Sequence, residues 1–269
     1  MKFAICNETF GEWPIEQGFE AARRHNYTGI EVAPFTMGSS VYEITDQQRR
    51  DYVQTAKKFE LEIIGLHWLL AKTTGLHLTT SDETIRNRTR DYMIALVQLC
   101  SDLGGKIMVL GSPLQRNFTS PMTHDIAMAN AADVLCQVVP TLEKHGVQIA
   151  VEPLGPQEGN FLNHAHQART LIDRIGSPQV QLHLDVKAMS SEGTPIDSII
   201  RDHADIMIHF HANDPNRLGP GMGDVDQRPI FKALQEIHYQ GWVSVEVFDY
   251  SPGVETILRE SMANMLSVQ

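Results

Sequence analysis

Residues 206–217 read Ile-Met-Ile-His-Phe-His-Ala-Asn-Asp-Pro-Asn-Arg (IMIHFHANDPNR), an apolar run that breaks into a polar loop. Such a run reads as a buried strand. At the break stands His211, a residue type suited to metal ligation. Three carboxylates sit at the ends of three other apolar runs: Glu152 after Val147–Val151, Asp185 after Val180–Leu184, and Glu246 after Trp242–Val245.

Working outward, the same punctuation recurs along the chain. Phe3–Cys6 precedes a helical pattern opened by Pro14 and carried by Ile15, Phe19 and Ala22. Gly29–Val32 precedes a second helix with Asp46 as its expected N-cap, and Leu61–Leu66 a third that runs on from Asp82 to Gly104-Gly105. Ile107–Leu110 precedes a stretch over about Met122–Lys144 whose Pro140 is expected to kink or split it. Helices over Ala165–Ile175, about Pro195–His203, about Pro229–His238 and a last one carrying Val254, Ile257, Leu258, Met262 and Met265 complete the series. Eight apolar runs alternating with helical patterns predict an α/β fold with a parallel sheet, most simply a closed (β/α)8 TIM barrel forming a single domain over 1–269. The alternative, a doubly wound open sheet, usually carries a phosphate-binding glycine turn after its first strand, and none follows Cys6.

Composition narrows the function classes. With 42% hydrophobic and 20% charged residues and no low-complexity tract, the chain reads as an ordinary globular protein. Its formal net charge of -11 repels polyanions, so no nucleic-acid partner is expected. No run approaches the roughly 20 apolar residues that span a bilayer, and MKFAICNETF turns polar too soon for a signal peptide. Cys6, Cys100 and Cys136 show no CxxC spacing and are expected to be reduced core thiols of a cytoplasmic protein.

In a barrel, groups at the C-terminal strand ends converge on one mouth. Glu152, Asp185, His211 and Glu246 follow one another at steps of 33, 26 and 35 residues, each about one βα unit. Three carboxylates and one imidazole are a mixed hard donor set that suits one divalent ion, Mn²⁺ first and Mg²⁺, Co²⁺ or Zn²⁺ as alternatives, with positions left open for substrate oxygens.

The motifs Val151-Glu152-Pro153, Leu184-Asp185-Val186, His209-Phe210-His211, Asn216-Arg217 and Val245-Glu246-Val247 resemble those of the xylose-isomerase-like barrels, and within them the ketose 3-epimerases of the D-tagatose and D-psicose type. The resemblance spans the whole chain. It implies one metal held by those four residues, Glu152 and Glu246 as the catalytic acid/base pair, a sugar or keto-polyol substrate, and a homo-oligomer, dimer or tetramer. The implied reaction is proton transfer through a cis-enediolate, with the ion as Lewis acid on the ketone. Glu152 and Glu246 on opposite faces give epimerisation, one face alone aldose–ketose isomerisation.

The resemblance also gives Arg217 and Glu158 a hold on substrate oxygens; otherwise Arg217 would pair with Asp214 or Asp224. One position departs from it. Asp185-Val186-Lys187-Ala188 carries Ala188 where the family has a substrate-binding histidine, which leaves Lys187 to serve a different substrate group, on a phosphorylated, oxidised or cyclic polyol. Competing readings are an inosose isomerase or dehydratase with the same tetrad, an endonuclease IV-like repair enzyme, and a non-catalytic sugar-binding module.

Other residues carry looser expectations. His67 at the end of strand three is a candidate substrate contact. His183 and His209, each two residues before a ligand, point into the barrel and are expected to orient the ligands or fill the core rather than to ligate. Glu8 and Glu31 are expected to orient loop backbone or an arginine. Trp13, Trp68 and Phe248 form an apolar wall or simply pack, Gln115 and Arg116 are candidates for a lid or phosphate contact, and Gly219–Asp224 reads as a flexible lip.

Overall fold

Eight parallel strands pair in sequence order and close on themselves, β1-β2-β3-β4-β5-β6-β7-β8, in a computed structural model that describes residues 1–269. The strands are β1 (Lys2–Cys6), β2 (Gly29–Val32), β3 (Glu62–Leu66), β4 (Ile107–Leu110), β5 (Gln148–Val151), β6 (Val180–Asp185), β7 (Met207–Ala212) and β8 (Trp242–Val245). Between and after them lie α1 (Ile15–Arg24), α2 (Asp46–Lys58), α3 (Glu83–Asp102), α4 (His124–His145), α5 (Ala165–Ile175), α6 (Val186–Met189), α7 (Ile196–Asp202), α8 (Gln227–Glu236) and α9 (Val254–Ser267). This is the TIM barrel that the alternation predicts. Closure is made by β1 against β8, with Ile5 opposite Val245.

The strands alternate as a two-sided sheet must. Phe3, Ile5, Ile30, Leu66, Leu184, Phe210 and Val245 join one apolar cluster with Phe19, Leu96, Leu135, Leu171, Phe231 and Leu258 of the helices. The opposite faces of the strands carry Cys6, Glu31, His183, His209, His211 and Ser244, all buried, which meet one another inside the barrel. A polar barrel interior is thus wrapped in an apolar shell. At Gly65 a Cβ would come within 1.9 Å of the Ile107 carbonyl, so the approach of β3 to β4 requires glycine there.

Three local expectations are corrected. The cap of α2 is Thr45, not Asp46: its side chain accepts from Gln48 N while the Gln48 side chain returns to the Thr45 backbone, a reciprocal box that Asp46 cannot make. α4 continues through Pro140 as one helix, because its buried face, Leu135 and Val138 before the proline and Leu142 after it, packs on both sides and offsets the one lost backbone bond. Cys136 is exposed on α4, so only Cys6 and Cys100 are core thiols.

Candidate active site

Parallel strands deliver their last residues to one end of the barrel, and the register does the rest. Asp185 pairs with His211 across β6 and β7, and His211 with Ser244 across β7 and β8, two residues before Glu246. Glu152 follows β5, its N–H bonded to the Leu110 carbonyl. A Cβ at position 111 would stand 1.6 Å from Glu152 Oε2, so Gly111 at the end of β4 makes the space that the carboxyl occupies.

Three of the four tetrad residues fall in one cluster and the fourth, Glu246, adjoins it. Ligand atoms of Glu152, Asp185 and His211, joined by His183, all lie within 4.8 Å of one another. Glu246 attaches through His211, whose Nδ1 is 3.1 Å from Glu246 Oε2. The other nitrogen of His211, Nε2, lies 3.1 Å from Glu31 Oε2. A buried carboxylate on the outer nitrogen fixes the ring and leaves the inner one aimed at the carboxyl groups, an arrangement typical of metal-binding histidines.

Each acid is held from outside the cluster. Asp185 Oδ1 accepts from Ala188 N at 2.7 Å, capping the short α6, and Oδ2 accepts from Asn213 Nδ2 at 2.5 Å. Glu246 Oε1 accepts from the Trp68 indole N–H at 2.6 Å and lies 3.3 Å from His67 Nδ1. Arg116 donates from Nη1 to the carbonyls of Leu110 at 3.2 Å and of Glu152 at 2.7 Å, clamping the ends of β4 and β5.

The electrostatics split the two glutamates. Burial, together with repulsion from Glu246 and Asp185, pushes the Glu152 carboxyl well above the usual range. Burial acts on Glu246 as well, but His211 and His67 outweigh it and hold that carboxyl well below its usual value. Asp185 is raised by burial, with Lys187 pulling it back and Glu246 pushing it up. His211 is raised against its burial by Glu31 and Glu246, so without a metal it carries a proton between them. Burial and the charges of His211 and His209 keep His183 neutral, and both its ring nitrogens lack a hydrogen-bond partner.

These observations fit a divalent cation. Three clustered carboxyl groups with raised or competing proton affinities, an oriented imidazole and an unsatisfied buried imidazole form a donor set of the oxygen and nitrogen type that Mn²⁺, Mg²⁺, Co²⁺ and Zn²⁺ accept.

Above the cluster opens a cavity of about 630 Å³ lined by Glu152, Glu158, Lys187, Arg217, Glu246 and Phe248 among others. Lys187 Nζ stands 2.6 Å from Glu158 Oε2 and 4.6 Å from the centre of the Phe248 ring. Arg217 adopts φ 75°, and its guanidinium donates to the Phe248 carbonyl at 3.0 Å rather than to Asp214 or Asp224. Its own carbonyl accepts from Phe248 N and Asp249 N, which ties the β7 loop to the β8 loop.

The cavity corrects several looser expectations. His67 lines the cavity but is fully buried, with Nε2 2.9 Å from Glu8 Oε2 and Nδ1 3.3 Å from Glu246 Oε1, so it sits between two carboxylates. Glu8 and Glu31 serve imidazoles, not loop backbone or arginine. Trp68 is a hydrogen-bond donor as well as a wall partner of Phe248, whereas Trp13 only packs against the core. Arg116 and Gln115 are buried and therefore form no lid. Gly219–Asp224 is fastened to α9 by Asn264, which donates to the Pro220 carbonyl at 3.0 Å, so it is no free lip.

A parallel eight-stranded barrel with an acid–imidazole cluster at its mouth defines a class of barrel enzymes rather than one of them. The family described as the xylose isomerase-like TIM barrel matches residues 19–268, and the chain belongs to it. A probable ketose 3-epimerase of Synechocystis sp. is 29% identical over 247 residues, covering 87% of this chain and 79% of that protein. The D-psicose 3-epimerase of Enterocloster bolteae is 30% identical over 226 residues, covering 79% and 73%. A solved structure of D-psicose 3-epimerase in the presence of D-fructose superimposes with a TM-score of 0.89 over 100% of this chain and 99% of that one at 20% identity, a likeness of fold. The protein is accordingly an enzyme of the isomerase and epimerase type. No helix is long and apolar enough to cross a membrane.

Proposed function

We propose that the enzyme is a divalent-metal-dependent epimerase of ketoses or keto-polyols that moves one proton next to a ketone, with Glu152 and Glu246 as its acid/base pair. The observation that carries this reading is the placement of two buried, unequal carboxyl groups at the floor of one polar cavity. They come from β5 and β8, three places apart around a ring of eight, and so approach a bound sugar from different sides.

Glu152, Asp185, His211 and Glu246 would hold the ion. When bound, a divalent cation acts as a Lewis acid that makes the hydrogen beside a sugar ketone acidic and offsets the charge that develops. Glu246, kept ionised by its imidazole neighbours, is the side chain suited to take a proton, and Glu152, which favours its protonated form, the one suited to give one. Trp68 and His67 fix Oε1 of Glu246, so Oε2 is the oxygen directed toward the cluster. Arg116 anchors the backbone that carries Glu152. Arg217 and the Lys187–Glu158 pair line the cavity and would hold hydroxyl groups of the substrate, the pair standing where Ala188 offers no imidazole.

Incubating the Mn²⁺-loaded enzyme in D₂O with free ketohexoses, ketopentoses and keto-inositols tests the reading. Deuterium entering carbon 3 of a ketose, together with the 3-epimer as product, is expected. No exchange on any ketose, with water lost from a keto-inositol, would replace it with the dehydratase reading.

A further inference from the structure

Every buried imidazole of the barrel interior has a carboxylate oxygen within 3.3 Å except His183. His67 lies between Glu8 and Glu246, His209 Nε2 is 2.9 Å from Glu31, and His211 lies between Glu31 and Glu246. His183, on β6 two residues before Asp185, is fully buried with neither ring nitrogen hydrogen-bonded. An orphaned buried polar group of this kind costs free energy unless something absent from the protein chain satisfies it.

The surroundings indicate what that is. His183 Nε2 lies 3.8 Å from Glu152 Oε1, beyond hydrogen-bond range, and its ring centre is 4.1 Å from that of His211. Its ligand atom also falls within the 4.8 Å cluster that holds Glu152, Asp185 and His211. Two atoms each about 2.0–2.2 Å from one ion stand no more than about 4.4 Å apart, so only a slight closing of the cluster would bring all four onto the same ion.

We propose that His183 is a further ligand of the divalent ion, which is then held by two imidazole nitrogens and the carboxylates of Glu152, Asp185 and Glu246. The inference rests on the metal reading above and deepens it. A second nitrogen moves the site's preference away from Mg²⁺ and toward Co²⁺ and Zn²⁺, because imidazole suits the later metals better than it suits hard oxygen-seeking cations.

Pulsed electron paramagnetic resonance on the Mn²⁺-loaded wild type, which counts bound imidazoles through their ¹⁴N couplings, decides the matter. Two coupled imidazoles are expected, falling to one in His183→Leu and remaining two in His209→Gln. The Kd for Co²⁺ in His183→Leu should rise by at least the roughly 10–100-fold that loss of a group hydrogen-bonded to a ligand causes. One imidazole in the wild type overturns the assignment while leaving the metal reading intact, and His183 is then satisfied by water. Failure of the wild type to bind about one Mn²⁺ overturns the metal reading itself. The wild-type count is sufficient alone if His183→Leu does not fold.

Discussion

Replacing Glu246 by Gln removes a charge while keeping the length of the side chain, and the structure allows its consequences to be separated. The amide oxygen can still accept from the Trp68 indole, now 2.6 Å from Oε1, so the wall of the cavity should stay in place. What changes is the other end, where an oxygen 3.1 Å from His211 Nδ1 becomes an NH₂ that neither accepts a proton nor binds a metal. Loss of a positioned proton-transfer group costs about 10²–10⁴ in rate, or about 3–5 kcal/mol of barrier. Loss of a ligand adds to that through metal occupancy, for which even an outlying partner is worth roughly 10–100-fold. Turnover and deuterium exchange at saturating Mn²⁺, with circular dichroism as the check on folding, should therefore show a fall of several orders of magnitude in a folded protein. A rate within about tenfold of wild type would refute the assignment of Glu246 as acid or base.

Metal affinity should rise with pH, by up to about tenfold per unit for each proton displaced, because burial and its acidic neighbours leave Glu152 protonated and Glu31 and Glu246 leave His211 protonated in the metal-free chain. Calorimetry in buffers of different ionisation enthalpy measures that release directly, and a pH-independent affinity with no proton released would show that both groups are already deprotonated. Arg116→Met should lower stability in urea by roughly 2–4 kcal/mol, since it strips donors from the Leu110 and Glu152 carbonyls inside the barrel; a change under 1 kcal/mol would place those carbonyls in contact with water. Lys187→Met should raise KM about tenfold, near 1.4 kcal/mol, with kcat little changed, and an unaltered KM would remove Lys187 from the substrate's surroundings.

The tetrad was legible because its signals are local. Asp185, His211 and Glu246 each close an apolar run, and a parallel barrel converts steps of about one βα unit into a shared mouth. The pairing of charges inside the barrel was not. Glu31 meets His211 across 180 residues and Trp68 meets Glu246 across 178, contacts that depend on strand stagger and ring orientation rather than on any period. His183 and His209 could be placed inside by their two-residue offset from Asp185 and His211, yet the offset cannot say that one finds a carboxylate and the other nothing. Arg116 is a similar case: a charged residue after a strand reads as exposed, and only the depth of the β4–β5 corner reveals it as a buried clamp. The cap of α2 needed the reciprocal geometry of Thr45 and Gln48, for which Asp46 is an equally plausible neighbour in sequence.

The seam between β1 and β8 also governs the order of events on the ribosome. Phe3 and Ile5 are made well before the residues they pair with across the seam, Val243 and Val245. At about 5–20 residues per second, roughly 12–50 seconds separate the two. Throughout that interval the first strand keeps an unpaired edge of apolar sequence, the kind of edge that recruits other chains. Nascent barrels of this protein are thus predicted to depend on chaperone cover until residue 245 is made, whereas a circular permutant that places β8 directly ahead of β1 would shield the seam from the start.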